Sequence, residues 1–131
     1  MNFKRTKQPA FSAKVTLGLE LGYTKVVIDK AAIVDCIQQY QDQLIKNKGI
    51  VLSVALSECT IILSGQKEPH ITLNFINYPK FPLAEAVLKT EIENMTKALM
   101  RTFQQNRVVI EYLDETLMLE QTSMIDPRIQ Q

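Results

Sequence analysis

Apolar and polar residues alternate along most of this chain with one of two periods. Residues 14–22 read KVTLGLELG, with Val15, Leu17, Leu19 and Leu21 on one side and Lys14, Thr16, Gly18 and Glu20 on the other. A period of two predicts a strand with one buried face. After Val26, Val27 and Ile28 comes Asp29, whose carboxylate suits it to cap a helix. Ile33, Cys36, Ile37, Tyr40 and Leu44 then follow at helical spacing. They form one apolar stripe, which Gly49 is free to end in the left-handed conformation.

From Ile50 the period returns to two. Ile50, Leu52, Val54 and Leu56 oppose Val51, Ser53, Ala55 and Ser57, and residues 59–64 are a further β-rich piece. Residues 50–64 read as one strand or as two. A turn is expected at Gly65–Pro69, then a strand over residues 70–78 with Ile71, Leu73 and Phe75 on one face. Pro79 and Pro82 bracket a connection to the longest helical pattern, residues 83–105. There Leu88, Ile92, Met95, Leu99 and Phe103 share a face, and Glu85–Lys89 and Glu93–Lys97 are expected surface pairs. Residues 107–113 read as a core strand, and residues 116–120 as a short strand turned back by Asp114-Glu115.

The order β-α-β-β-(β)-α-β-(β) predicts an α+β two-layer sandwich. Two helices cover one face of a mostly antiparallel sheet, in the ferredoxin-like βαββαβ arrangement with possible extra strands. Residues 14–121 are expected to form a single domain. Residues 1–13 read as a flexible N-terminal segment, and residues 122–131 as a tail without a period. The chain has 131 residues, 46% hydrophobic and 22% charged, enough for one substantial core.

Charge and residue types narrow the function. Fifteen basic against 14 acidic residues leave a net charge of +1, without the concentrated positive field that nucleic acid requires. Lys4, Arg5 and Lys7 are the only local basic excess. RNA-recognition domains of this topology stack bases on rings of the central strands, and here the outward positions are mostly Thr, Ser, Asn and Glu. No apolar run fits a secretory signal or a membrane span, so the cytoplasm is the expected compartment.

Cys36 and Cys59 belong to no close pair, and with a single histidine they build no zinc site; inert buried thiols are expected. The four glycines form no phosphate loop, and there is no nucleophile elbow. Acylphosphatase-type catalysis needs an arginine after the first strand, where Gly22-Tyr23-Thr24-Lys25 offers only Lys25. No metal and no cofactor is expected. Met95, Met100 and Met118 read as fillers of an irregular core.

The alternation also says where a site would lie. It collects Glu20, His70, Asn74 and Glu111 on the sheet face away from the helices. Histidine is the side chain suited to proton transfer near neutral pH, so His70, with Glu20 or Glu111 as its orienting carboxylate, is a candidate for acid–base catalysis. Thr72, Asn74 and Tyr23, the last in the first β–α loop, are candidate ligand contacts. A solvated antiparallel sheet needs polar residues outside in any case. Gly18, Ala55, Ile76, Val109 and Leu113 add small or apolar surface to the same face, which suits a homodimer interface. The residues therefore favour a self-associating domain that binds a small ligand or a partner. The alternative is a small enzyme built on His70.

Three short runs carry a resemblance. They are Leu17 to Leu19, the Lys67-Glu68-Pro69 turn before Ile71, and Arg101 to Gln105 (Arg-x-Phe-x-Gln) leading to Val108. They resemble a family of small bacterial proteins defined only as a domain of unknown function. The resemblance spans about residues 15–120; it implies an α+β fold and no activity.

Overall fold

The computed structural model describes residues 2–129; residues 1, 130 and 131 of the two expected terminal segments lie outside the described residues. Seven elements follow one another: β1 (Ala13–Gly18), α1 (Lys30–Lys48), β2 (Ala55–Leu63), β3 (Gln66–Phe75), α2 (Glu85–Thr102), β4 (Arg107–Tyr112) and β5 (Thr116–Glu120). The strands form one sheet in the order β2-β3-β1-β4-β5, with every neighbouring pair antiparallel. This is the expected two-layer α+β sandwich, with β5 added to the edge of the ferredoxin-like four.

Strand alternation decides the layers. Val15 and Leu17 of β1, Ile71, Leu73 and Phe75 of β3, and Val108 and Ile110 of β4 are buried on one sheet face. Ile33, Ile37 and Leu44 of α1 and Leu88, Ile92, Met95 and Leu99 of α2 complete this core. The caps of α1 act as expected. Asp29 accepts from the Ala31 amide at 3.0 Å, and Gly49 ends the helix at φ 64°.

Several boundaries differ from the sequence expectation, each for a physical reason. The alternation at residues 50–54 is one of burial without a ladder. The ladder with β3 ends at Ala55↔Asn74 and β3 itself stops one residue later at Phe75, and the Leu52 carbonyl accepts from Gln41 Nε2 instead (2.8 Å). β2 and β3 form one long hairpin closed at Ser64-Gly65, both left-handed at φ 43° and 82°, as a two-residue hairpin turn requires. Pro69 is therefore a strand residue. Its carbonyl accepts from the Leu19 amide (2.9 Å), so its own nitrogen faces the same side, where the β1 ladder is running out. Among the remaining differences, α2 starts at Glu85 and ends at Thr102. Glu93 receives the Tyr112 hydroxyl at 2.9 Å, and among the described residues it makes no ion pair with Lys97. Met95 and Met100 are buried, but Met118 points outward and is half exposed; Cys36 and Cys59 are free thiols, only partly buried. No helix among the described residues is long and apolar enough to cross a membrane.

The two helices are clasped by a pair of unequal exposure. The Glu91 carboxylate on α2 is almost wholly buried, and Lys48 at the end of α1 reaches it at 3.1 and 3.4 Å while staying half in water. Removing the lysine leaves a buried carboxylate without its cation, which costs more than the pair itself contributes. Lys48→Met is expected to lower the unfolding free energy by about 1–2 kcal/mol, and Glu91→Leu by less. Urea unfolding of the two variants gives the comparison, and a larger loss for Glu91→Leu contradicts it.

Candidate ligand-binding cleft

The outer face of the sheet becomes concave where β1 and β4 part. Their ladder runs from Ala13↔Tyr112 to Thr16↔Val109; beyond it β1 turns toward β3, with Gly18 opposite His70. The opening wedge is filled from the α2–β4 connection by Gln105, whose Nε2 donates to the carbonyls of Glu20 (2.8 Å) and Phe103 (3.0 Å). Gly18 lets it settle there, since a Cβ at residue 18 would lie 2.7 Å from Gln105 Oε1 and push that side chain aside.

Three walls stand on this floor. After β1 the chain doubles back, with Ile28 N–H bonded to Leu19 O at 2.7 Å and Leu21 N–H to Val26 O at 2.8 Å. That raises Glu20, Gly22 and Tyr23 along one side. The β2–β3 hairpin contributes Ile61, Leu63, Glu68 and His70 on another. The third wall is the tail: Asp126, Arg128 and Ile129 fold back across the mouth. The cleft, open on one side, has a volume of about 420 Å³, within the ~300–1,000 Å³ usual for small-molecule sites. A hollow of about 470 Å³ against Cys36, Tyr40 and Gln43 has all its walls on α1, which leaves it a surface depression.

Electrostatics distinguish the cleft. Arg128 is held by Asp126 through Nε (3.0 and 3.1 Å) and Nη2 (2.8 Å), and it reaches Glu20 Oε1 at 3.2 Å and Glu68 Oε1 at 3.6 Å. Its Nη1 also donates to the Thr24 carbonyl (3.3 Å). Three carboxylates thus surround one guanidinium, whose donors are taken within the protein. The group is net acidic, and it draws on the first β–α loop, the hairpin and the tail. The hydrogen-bonded guanidinium holds the Asp126 carboxyl below the usual carboxylate range, against burial, which pushes it up.

A carboxyl depressed on folding contributes stability that is complete above its unfolded value, about 3.9, and lost as pH falls through its folded value. Acid is therefore expected to release residues 122–129 before the core melts. The amide resonances of Arg128 and Ile129, followed from neutral pH into that range, should shift earlier than those of β1. Simultaneous loss would contradict a separately held tail.

Of the residues singled out in the sequence, Glu20, His70, Glu111 and Tyr23 line the cleft. Their expected pairing is absent: Glu20 turns to Arg128 and Glu111 to Lys14 (3.8 Å), and no ion pair joins His70 to either among the described residues. His70 Nδ1 instead lies 3.2 Å from the Glu68 carbonyl. The Tyr23 hydroxyl donates to the Met124 carbonyl at 3.0 Å and receives Asn106 Nδ2 at the same distance, so it anchors the tail. Thr72 is buried and bonded to Ser57 (2.6 Å), and Asn74, exposed between buried Leu73 and Phe75, does not line the cleft. Sequence reading missed Glu68, Gln105, Asp126 and Arg128. Glu68 had a signal, because once the hairpin turn is placed at Ser64-Gly65, a period of two puts it on the face of His70. The arginine absent from the first β–α loop arrives from the far end of the chain.

Fold and cleft together define an α+β sandwich with a concave acidic site on its open sheet face, of a size suited to a small organic molecule. The fold is similar to that of a phage SAM lyase. Its structure in complex with S-methyl-5′-thioadenosine matches with a TM-score of 0.67 at 18% identity, covering 95% of this chain and 100% of that one. The apo structure matches at 0.68, with the same identity and coverage. At that identity the likeness concerns the fold. No family model and no curated protein matches the sequence.

Proposed function

We propose that this chain binds an adenosyl sulfonium compound in the cleft, with SAM (S-adenosylmethionine) as the leading candidate, and cleaves it to S-methyl-5′-thioadenosine. The observation that carries this reading is the net acidic group of Glu20, Glu68 and Asp126 on the cleft wall, in a fold shared with a SAM lyase. SAM bears a sulfonium and an ammonium against one carboxylate, so an acidic wall attracts it.

Chemistry assigns the walls different tasks. Cleavage breaks the bond from the sulfonium to the carbon of the amino-acid chain, and the electron pair stays on sulfur, which becomes a neutral thioether. The four-carbon fragment makes good its loss by closing its own carboxylate on that carbon or by giving up a neighbouring proton. A carboxylate held against the sulfur would stabilise the charged ground state more than the transition state, which slows the step. The ammonium keeps its charge throughout, so Glu20 and Glu68 belong to it. The sulfur belongs over Ile61, Leu63 and Val109, where apolar surroundings favour loss of charge.

Incubation with SAM followed by chromatography tests the reading. Formation of S-methyl-5′-thioadenosine supports it; if SAM stays intact and calorimetry detects no binding of either compound, it fails. Self-association is a companion proposal, supported by the exposed Leu113 and Met118 at the β4–β5 edge of the sheet. Sedimentation showing a strict monomer at high concentration removes it.

A further inference from the structure

The floor of the cleft presents two hydrogen-bond acceptors close to Gly18. The amide of Gln105 has its orientation fixed, because its nitrogen already donates to the carbonyls of Glu20 and Phe103 and a carbonyl only accepts. Its Oε1 therefore faces away from those carbonyls, over Gly18. Gln105 is nine-tenths buried, yet its Oε1 accepts no hydrogen bond among the described residues. The same oxygen is not among the sealed polar atoms, so it is open to the cleft.

His70 is constrained by the same logic. Its Nδ1 lies 3.2 Å from the Glu68 carbonyl, so the neutral ring carries its proton there and leaves the lone pair on Nε2. That Nε2 lies 3.5 Å from the point where a Cβ of residue 18 would be, and Gln105 Oε1 lies 2.7 Å from the same point. Both atoms thus lie close above Gly18, which has no side chain to hold them apart from a ligand. Both residues line the cleft, and a ligand that displaces water from these acceptors must bring donors in its place.

We infer that His70 Nε2 and Gln105 Oε1 form a specificity subsite for a ligand group with two hydrogen-bond donors, seated over Gly18. This rests on the reading of the cleft as a nucleoside site and deepens it. In such a ligand the donors are either the exocyclic amine of the base or the ribose diol. His70 then recognises the ligand through its unprotonated nitrogen, without the carboxylate partner that acid–base catalysis on this residue requires.

Calorimetry with three probes tests this on the unaltered protein: S-methyl-5′-thioadenosine, its inosine counterpart (a ring carbonyl in place of the amine), and its 2′,3′-dideoxy counterpart. One analogue is expected to bind about tenfold or more weaker than the parent, the loss typical of buried acceptors left unpaired, and it identifies the donor. His70→Leu should then bind the parent and that analogue within about threefold of each other, a change in ratio that a purely structural role does not produce. If the variant does not fold, the Nε2 resonance of His70 gives the same decision, since it must shift when the parent binds and not with the discriminated analogue. Equal binding of all three probes overturns the subsite and leaves the cleft reading intact. No binding of any of them overturns both.

Discussion

Glu20→Gln combined with Glu68→Gln is expected to weaken SAM binding roughly 10- to 100-fold while changing the affinity for S-methyl-5′-thioadenosine by less than about threefold. The asymmetry follows from charge. SAM carries a net positive charge and the thioether none, so deleting two carboxylates from one wall takes attraction only from the first. Two unit charges about 5 Å apart interact by ~3 kcal/mol at an effective dielectric of 20. Glu20 and Glu68 are only partly buried and share Arg128, so solvent and the guanidinium reduce that to about 1 kcal/mol each. In the double variant Arg128 keeps only Asp126 as its carboxylate partner, which adds repulsion. Calorimetric titration of both ligands decides the matter. A parallel loss for the neutral thioether would mean that the two residues shape the cleft without reading charge.

The second large effect is on stability. Leu17 is fully buried in β1, the middle strand of the sheet, opposite Ile71 and within the layer that both helices cover. Leu17→Ala removes apolar contact from a site walled by β-structure that cannot collapse inward. The expected cost is about 4–5 kcal/mol, toward the high end of buried leucine truncations. For a chain of this size, that corresponds to roughly a 15 °C fall in Tm. The neighbour one residue on, Gly18, faces the opposite side. Gly18→Ala is expected to cost little in Tm but to displace Gln105 and impair ligand binding, because its Cβ meets the Gln105 side chain and not the core. Thermal unfolding of both variants separates the two faces of one strand, and equal Tm losses would contradict that division.

Lysine 48 and Arg128 show two ways in which this chain places a cation near buried carboxylate. Lys48 clasps the helices against Glu91 at an end of α1 that the sequence marks with Gly49. Arg128 has no such marker. It lies beyond the last strand, in a stretch without apolar period, and is held by Asp126, two residues away, and by Glu20, more than a hundred residues earlier.

That contrast accounts for what could be read in advance. Periodicity reports burial of one face of an element, a local property written every second or every third to fourth residue. It therefore marked both helices, the Asp29 and Gly49 caps of α1, the inward residues of β1, β3 and β4, and the outward placement of Glu20, His70 and Glu111. It did not limit β2 to residues 55–63, because alternation shows which side is buried and not whether a partner strand is present. The cleft came only from tertiary structure. Gln105 enters it because β1 and β4 diverge after Thr16↔Val109, and Glu68 because the hairpin turn lies at Ser64-Gly65. Asp126 and Arg128 enter because side chains of Tyr23, Asn106 and Arg107 donate to the Met124 carbonyl and draw the tail across the sheet. Such hydrogen bonds join residues far apart in the chain at no fixed spacing, and so they leave no pattern in the sequence.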